Sequence, residues 1–218
     1  MSGLYVSKRR DLSKHKATTV CKFPSTKSHV VPVLTDGKLE ADYCFHLEYD
    51  RNVIKYECQP LGYYYAGQTP SRRIPSYTPD FQIWFKDKSV QYREIKEEKY
   101  VDPELDALFP TLQKQALLLG KQLHMVLDSE IRAEPHFSNL KTLFKAKKNR
   151  SVNTTLLRQI TPLLEKHVKM SPYEFIDEYG LTASIGDFFC LIANYKLKAD
   201  INTQSLSWMT KLELCDYD

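Results

Sequence analysis

The residues with the most chemical content are Asp80, Glu94 and Lys96. Asp80 follows Tyr77-Thr78-Pro79 and heads the run Phe81-Gln82-Ile83-Trp84-Phe85. Lys86-Asp87-Lys88-Ser89 separates that run from Val90-Gln91-Tyr92-Arg93-Glu94-Ile95-Lys96. Two short runs rich in aromatic and β-branched residues, flanking a charged tetrapeptide, predict a β-hairpin. Alternation with period two puts Val90, Tyr92, Glu94 and Lys96 on one face of the second strand. That face begins apolar and ends in an acid and a lysine. A purely structural strand avoids lone charges at the edge of a core. In an antiparallel hairpin the head of strand one lies level with the end of strand two, so Asp80 should meet Glu94 and Lys96 at one end of the sheet. Two carboxylates there suit a hard divalent cation such as magnesium, which takes oxygen ligands. A lysine about 7 Å further along the face could orient a water or stabilise a phosphorane-like transition state. The chemistry implied is metal-dependent phosphodiester hydrolysis. The competing reading is an exposed hairpin whose charges are simply solvated.

The flanking segments must position this hairpin. Leu39, Tyr43, His46 and Leu47 recur at helical spacing and predict a helix over 39–50, with Glu40 beside the apolar stripe. Val53 to Tyr65 reads as a strand interrupted at Gln59-Pro60, where proline suits an edge or a bulge. The segment 66–76 reads as a loop whose Arg72 and Arg73 could hold a DNA backbone. Asp102 is placed to cap a helix with Pro103 in its first turn. Leu105, Leu108, Leu112, Ala116 and Leu119 form its stripe, Pro110 should kink or restart it, and Gly120 should end it. Leu123 to Leu127 is a short apolar strand. Strand, helix, strand implies a parallel crossover onto the antiparallel hairpin. The expected core is therefore a mixed α/β sheet with helices on both faces.

The 218 residues suffice for one domain or a domain and a half, and 42% of them are hydrophobic. A net charge of +4 is compatible with a nucleic-acid partner without demanding one. The five cysteines are odd in number and scattered, with no CxxC pair or disulfide framework, so a reducing cytoplasm is expected. No signal peptide or membrane span is expected. Lys8, Arg9, Arg10, Lys14, His15, Lys16, Lys22 and Lys27 against Asp11 suggest a basic N-terminal arm over residues 1–38. Such an arm could lie along phosphates. The run Lys145-Ala146-Lys147-Lys148-Asn149-Arg150 reads as a linker, giving a catalytic domain over 39–146 and a second domain over 147–218. The latter is expected to hold three helices and a closing hairpin, the order of a winged helix. Pro162 threatens its first helix, and Ser171 with Glu174 forms a capping box opening its second.

Leu39-Glu40, Leu47-Glu48-Tyr49-Asp50, Val53, Tyr56, Gln59-Pro60, Tyr77-Thr78-Pro79-Asp80-Phe81 and Glu94-Ile95-Lys96 stand in an order that resembles the TnsA endonuclease family. These are the nicking subunits of bacterial heteromeric cut-and-paste transposases. The resemblance covers roughly residues 1–145. It implies a restriction-endonuclease-like mixed sheet flanked by helices, followed by a small C-terminal winged-helix-like domain. It further implies a catalytic set of Glu40, Asp80, Glu94 and Lys96. Glu40, Asp80, Glu94 and the Ile95 carbonyl would ligate Mg2+, with Mn2+ as a substitute. The implied partners are double-stranded DNA at transposon ends, a DDE-type transposase subunit and an AAA+ ATPase regulator, in a bacterial cytoplasm. Two rival functions share parts of this pattern: a stand-alone restriction or repair nuclease, and a non-catalytic DNA- or protein-binding adaptor.

Overall fold

The computed structural model describes residues 20–65, 67 and 74–215. The chain forms two compact units, Met1–Arg132 and Ala133–Asp218. In the first, strands β1 (Val20–Phe23) and β2 (Val33–Asp36) pair antiparallel and lead into helix α1 (Lys38–Tyr49). Strands β3 (Val53–Cys58), β4 (Tyr63–Tyr64), β5 (Ser76–Tyr77), β6 (Phe81–Phe85) and β7 (Val90–Lys96) follow. Helix α2 (Pro103–Leu118), strand β8 (Gln122–Leu127) and the short helix α3 (Asp128–Ile131) complete the unit. The central sheet has the order β3-β6-β7-β8. Its first two pairings are antiparallel and β7–β8 is parallel, the mixed sheet expected from the strand-helix-strand order.

Both faces of this sheet are covered. Phe81 and Ile83 lie on one face, where Tyr43 of α1 meets Phe81 edge-on at 5.4 Å between rings. Tyr92 lies on the other, with Tyr63, Leu123 and the α2 residues Leu112 and Ala116. The Tyr63 and Tyr92 rings stack at 5.7 Å, and Tyr63 donates its hydroxyl proton to the Leu112 carbonyl. Burying these aromatic rings supplies most of the local driving force. Pro110 sits inside α2 without ending it. The penalty of about 3 kcal/mol for an internal proline is outweighed by the seating of Leu112 and Ala116. Asp102 accepts from the Leu105 N–H at 2.8 Å, the expected cap.

The N-terminal segment differs from the expected arm. Residues 1–19, which carry most of its basic side chains, lie outside the described residues. Residues 20–36 form the β1–β2 hairpin, fastened to α1 by a buried acid. Glu48 accepts from the Ser25 and Thr26 hydroxyls, the Thr26 N–H and the Tyr56 hydroxyl. Lys27 donates to the Leu47 and Asp50 carbonyls at the end of α1, so this lysine caps a helix C-terminus, where a cation is favoured.

The second unit holds α4 (His136–Asn149), α5 (Thr154–His167), α6 (Pro172–Asp177), α7 (Ile185–Ala193) and the antiparallel pair β9 (Leu197–Ala199) and β10 (Leu212–Leu214). After α4, helices α5, α6 and α7 and the β9–β10 hairpin appear in the expected order, and Pro162 is accommodated within α5. The capping box forms as expected, with Ser171 and Glu174 exchanging hydrogen bonds. The boundary falls earlier than the basic run. Lys145 to Asn149 are the last turns of α4, not a linker. Phe137, Leu140, Leu143 and Ala146 make a buried stripe on that helix, and buried Asn139 bonds to Ile201, Gln204 and Leu206. These contacts tie α4 to the second unit.

Glu48→Ala should destabilise the first unit by about 3 kcal/mol, because several buried donors lose one charged acceptor. Chemical denaturation would measure the loss. Hydrogen exchange should quicken first in residues 20–36; an unchanged denaturation midpoint would refute this anchoring role.

Candidate active site

The site is built where β6 begins and β7 ends. Register pairs Phe81 with Arg93, so one step further brings Asp80 level with Glu94. The contact is direct. Asp80 Oδ2 accepts from the Ile95 N–H at 2.8 Å, the amide that lies between Glu94 and Lys96 in the chain. Asp80 Oδ1 accepts from Gln59 Nε2 at 3.1 Å. Gln59 itself follows β3 with a positive φ of 46°, a conformation that costs a glutamine of order 1 kcal/mol. The Asp80 carboxylate is thus held between the two strands that flank β6.

Glu94 is oriented from the other side. The Tyr77 hydroxyl donates to Glu94 Oε2 at 2.5 Å. Tyr77 is fixed in turn by its ring, which meets Tyr63 edge-on at 5.5 Å. Burial, and then the Glu94 charge, push the Tyr77 phenol well above its ordinary range, so it remains a donor at any working pH. Pro79 stands between these two fixed points, as the sequence Tyr77-Thr78-Pro79-Asp80 requires.

Glu40 comes from the first turn of α1 and is only 7% exposed. Its Oε2 accepts from the Asp36 N–H at 2.9 Å. Its carboxyl is pushed up to about 9 from the ordinary 4.5. Burial is the largest cause and the Asp80 charge the next; Asp36 and Glu94 add smaller repulsions, and the Asp36 N–H opposes them. Glu40, Asp80 and Glu94 therefore share one electrostatic neighbourhood. Carboxylates gathered this way resist ionising together unless a cation joins them. Lys96 ends β7, partly buried, in register with Leu127 of β8.

These groups are all oxygen donors apart from Lys96, a set that suits magnesium or manganese. Among the described residues, no three His, Cys, Asp or Glu side chains already converge as a ready-made ligand set. Arg72 and Arg73 lie outside the described residues. Two histidines are engaged away from these carboxylates: His46 Nε2 bonds the Ile131 carbonyl at 2.8 Å, and His124 is exposed beside Gln122. Gln59 and Tyr77 escaped the sequence reading as site residues. The signal for Tyr77 was its place three residues before Asp80. Gln59 stands in the sequence as part of a strand interruption and of the family pattern, with no site role attached.

The mixed sheet flanked by helices is compatible with a restriction-endonuclease-like core, with an acid heading one strand and Glu-x-Lys closing the next. Residues 50–153 match the family model described as TnsA-like endonuclease N terminal. That stretch, a little under half of the chain, is similar to the TnsA-like endonucleases, which supports a nuclease of that type. The match contains Asp80, Glu94 and Lys96 and begins after Glu40. Among curated proteins none matches this chain. Among the described residues no helix is long and apolar enough to cross a membrane, and all five cysteines are free thiols.

The raised Glu40 value has a definite sign. Its folded value lies above its unfolded one, so its contribution to stability is fully present below about 4.5 and is lost as pH rises through about 9. Thermal melts in a chelating buffer should show Tm falling between pH 5 and pH 9. Glu40→Gln should flatten that decline; an equally steep slope in the variant would assign the titration to another group.

Proposed function

We propose that this chain is the magnesium-dependent DNA endonuclease subunit of a heteromeric cut-and-paste transposase, cutting the non-transferred strand at the transposon ends. The observation that carries the reading is the Ile95 N–H to Asp80 hydrogen bond, which binds the acid of one strand to the Glu-x-Lys of the next. The TnsA-like match over the same residues supports it. In this reading a DDE-type transposase subunit cuts and joins the other strand. An AAA+ ATPase regulator recruits the nuclease. The second unit, with its helices and closing β9–β10 pair, is the proposed winged-helix-like interaction module. The setting would be the bacterial cytoplasm.

Asp80, Glu94, the Ile95 carbonyl and Glu40 would hold Mg2+, or Mn2+ in its place. A bound divalent ion would supply charge neutralisation at the scissile phosphate and lower the pKa of a bound water. The chain's own residues do the rest. Gln59 and the Ile95 N–H set the direction of the Asp80 carboxylate. Tyr77 sets that of Glu94. Lys96 orients the attacking water and faces the negative charge that grows on the phosphoryl oxygens. Water adds to phosphorus, one P–O bond breaks, and the strand is nicked. The crowded carboxylates explain why the site should need the cation: Glu40 resists ionising beside Asp80 and Glu94.

Asp80→Ala should abolish strand cleavage while leaving the melting temperature near that of the parent. Lys96→Ala should lower the rate about a hundredfold or more, the loss of roughly 3 kcal/mol of transition-state stabilisation. Cleavage of an end-labelled transposon-end duplex, with the partner subunits present, measures both. Parental nicking by Asp80→Ala would place the chemistry elsewhere.

A further inference from the structure

We propose that Gln59 is a positioning residue for the nuclease reaction, fixing the Asp80 carboxylate in the direction that a metal ion requires; this rests on the metal-dependent reading above. Gln59 grips one residue twice. Its main-chain N–H donates to the Asp80 carbonyl at 2.7 Å, and its side-chain Nε2 donates to Asp80 Oδ1 at 3.1 Å. The Ile95 N–H holds the second oxygen at 2.8 Å. A donor therefore reaches each carboxylate oxygen, from opposite neighbours, and together they fix the rotamer. The direction of the amide is also decided, because an ionised carboxylate only accepts, so the NH2 group must face it.

Two features of Gln59 make little sense for stability alone. Its backbone lies in the left-handed region, φ 46°, which glutamine rarely adopts. Its Oε1 is buried without a hydrogen-bond partner among the described residues, and the whole residue is only 3% exposed. A buried orphan oxygen is uncommon in a folded protein. An apolar side chain of the same length would fill the space without that oxygen. Such unfavourable features persist where they serve a site. What this residue gains in return is the hold on Asp80. Groups that orient a ligand in this way typically govern metal affinity by 10- to 100-fold.

The test uses the purified full chain and manganese alone, titrated by the electron-spin resonance of free Mn2+. Gln59→Met keeps the length and removes the donor. It should weaken Mn2+ binding by roughly 10- to 100-fold, with the melting temperature unchanged within about 4 °C. In the cleavage reaction the half-saturating Mg2+ concentration should rise by a similar factor, and excess Mg2+ should recover much of the rate. Should the Met variant fail to fold, Gln59→Asn carries the test, since asparagine tolerates the left-handed backbone but is one methylene too short to reach. Parental Mn2+ affinity in the folded variants overturns the positioning role, as does a lowered melting temperature with affinity intact. Asp80→Ala is the reference. If it binds Mn2+ as the parent does, the metal site itself is misassigned, and the failure lies in the proposed function before it lies in Gln59.

Discussion

A single hydrogen bond ties the proposed chemistry of this chain to its fold: the Ile95 N–H donating to the Asp80 carboxylate. It can form only if β6 and β7 pair in the observed register, because a slip of one residue would turn Glu94 and Lys96 to the other face. That register is set by the turn at residues 85–89, where the Phe85 N–H and the Ser89 carbonyl meet at 3.0 Å, and by burial of Tyr92 on one face and Phe81 on the other. The site is therefore a product of sheet packing. Any change that lets β6 slide against β7 would take the acid away from the Glu-x-Lys segment while leaving every site residue present.

Around that bond the structure gathers negative charge and then restrains it. Glu40, Asp80 and Glu94 each keep an acceptor bond to a fixed donor, from Asp36, Gln59 and Ile95, and Tyr77 respectively. Burial, and then the Asp80 charge, keep Glu40 far above the ordinary carboxylate range, and the Asp36 N–H only partly opposes them. In the proposed reading a bound cation would relieve the repulsion among these carboxylates. Without one, the raised Glu40 value costs the protein stability as pH rises toward 9.

Much of this was legible in the sequence for identifiable reasons. The hairpin announced itself through two aromatic, β-branched runs and a charged turn, and the meeting of Asp80 with the Glu94 segment followed from antiparallel pairing alone. The crossover through α2 to β8 followed from Asp102 as a cap, a leucine stripe and Gly120, whose φ of 72° ends the helix as glycine allows. Other features were hidden. The β1–β2 hairpin is short, and its lysines looked solvated; what folds it is Glu48, twelve residues beyond β2 in the chain and buried only in the tertiary structure. The basic run at 145–150 resembled a linker because its charges outnumber its apolar residues, yet Leu140, Leu143 and Ala146 align on one face of α4. Gln59 was invisible as a site residue because its role depends on a left-handed turn that no local pattern of glutamine and proline predicts.

The measurement that bears most directly on the proposed division of labour is long-read sequencing of transposition products made with Asp80→Asn in place of the parental chain. If this subunit cuts only the non-transferred strand, the partner transposase continues to cut and join the other strand. The element then stays attached to its donor, and replication across the joined intermediate fuses donor and target with a copy of the element at each junction. The account predicts a switch from simple insertions to such cointegrates with transposition still proceeding. Simple insertions alone, or no insertions at all, would contradict it.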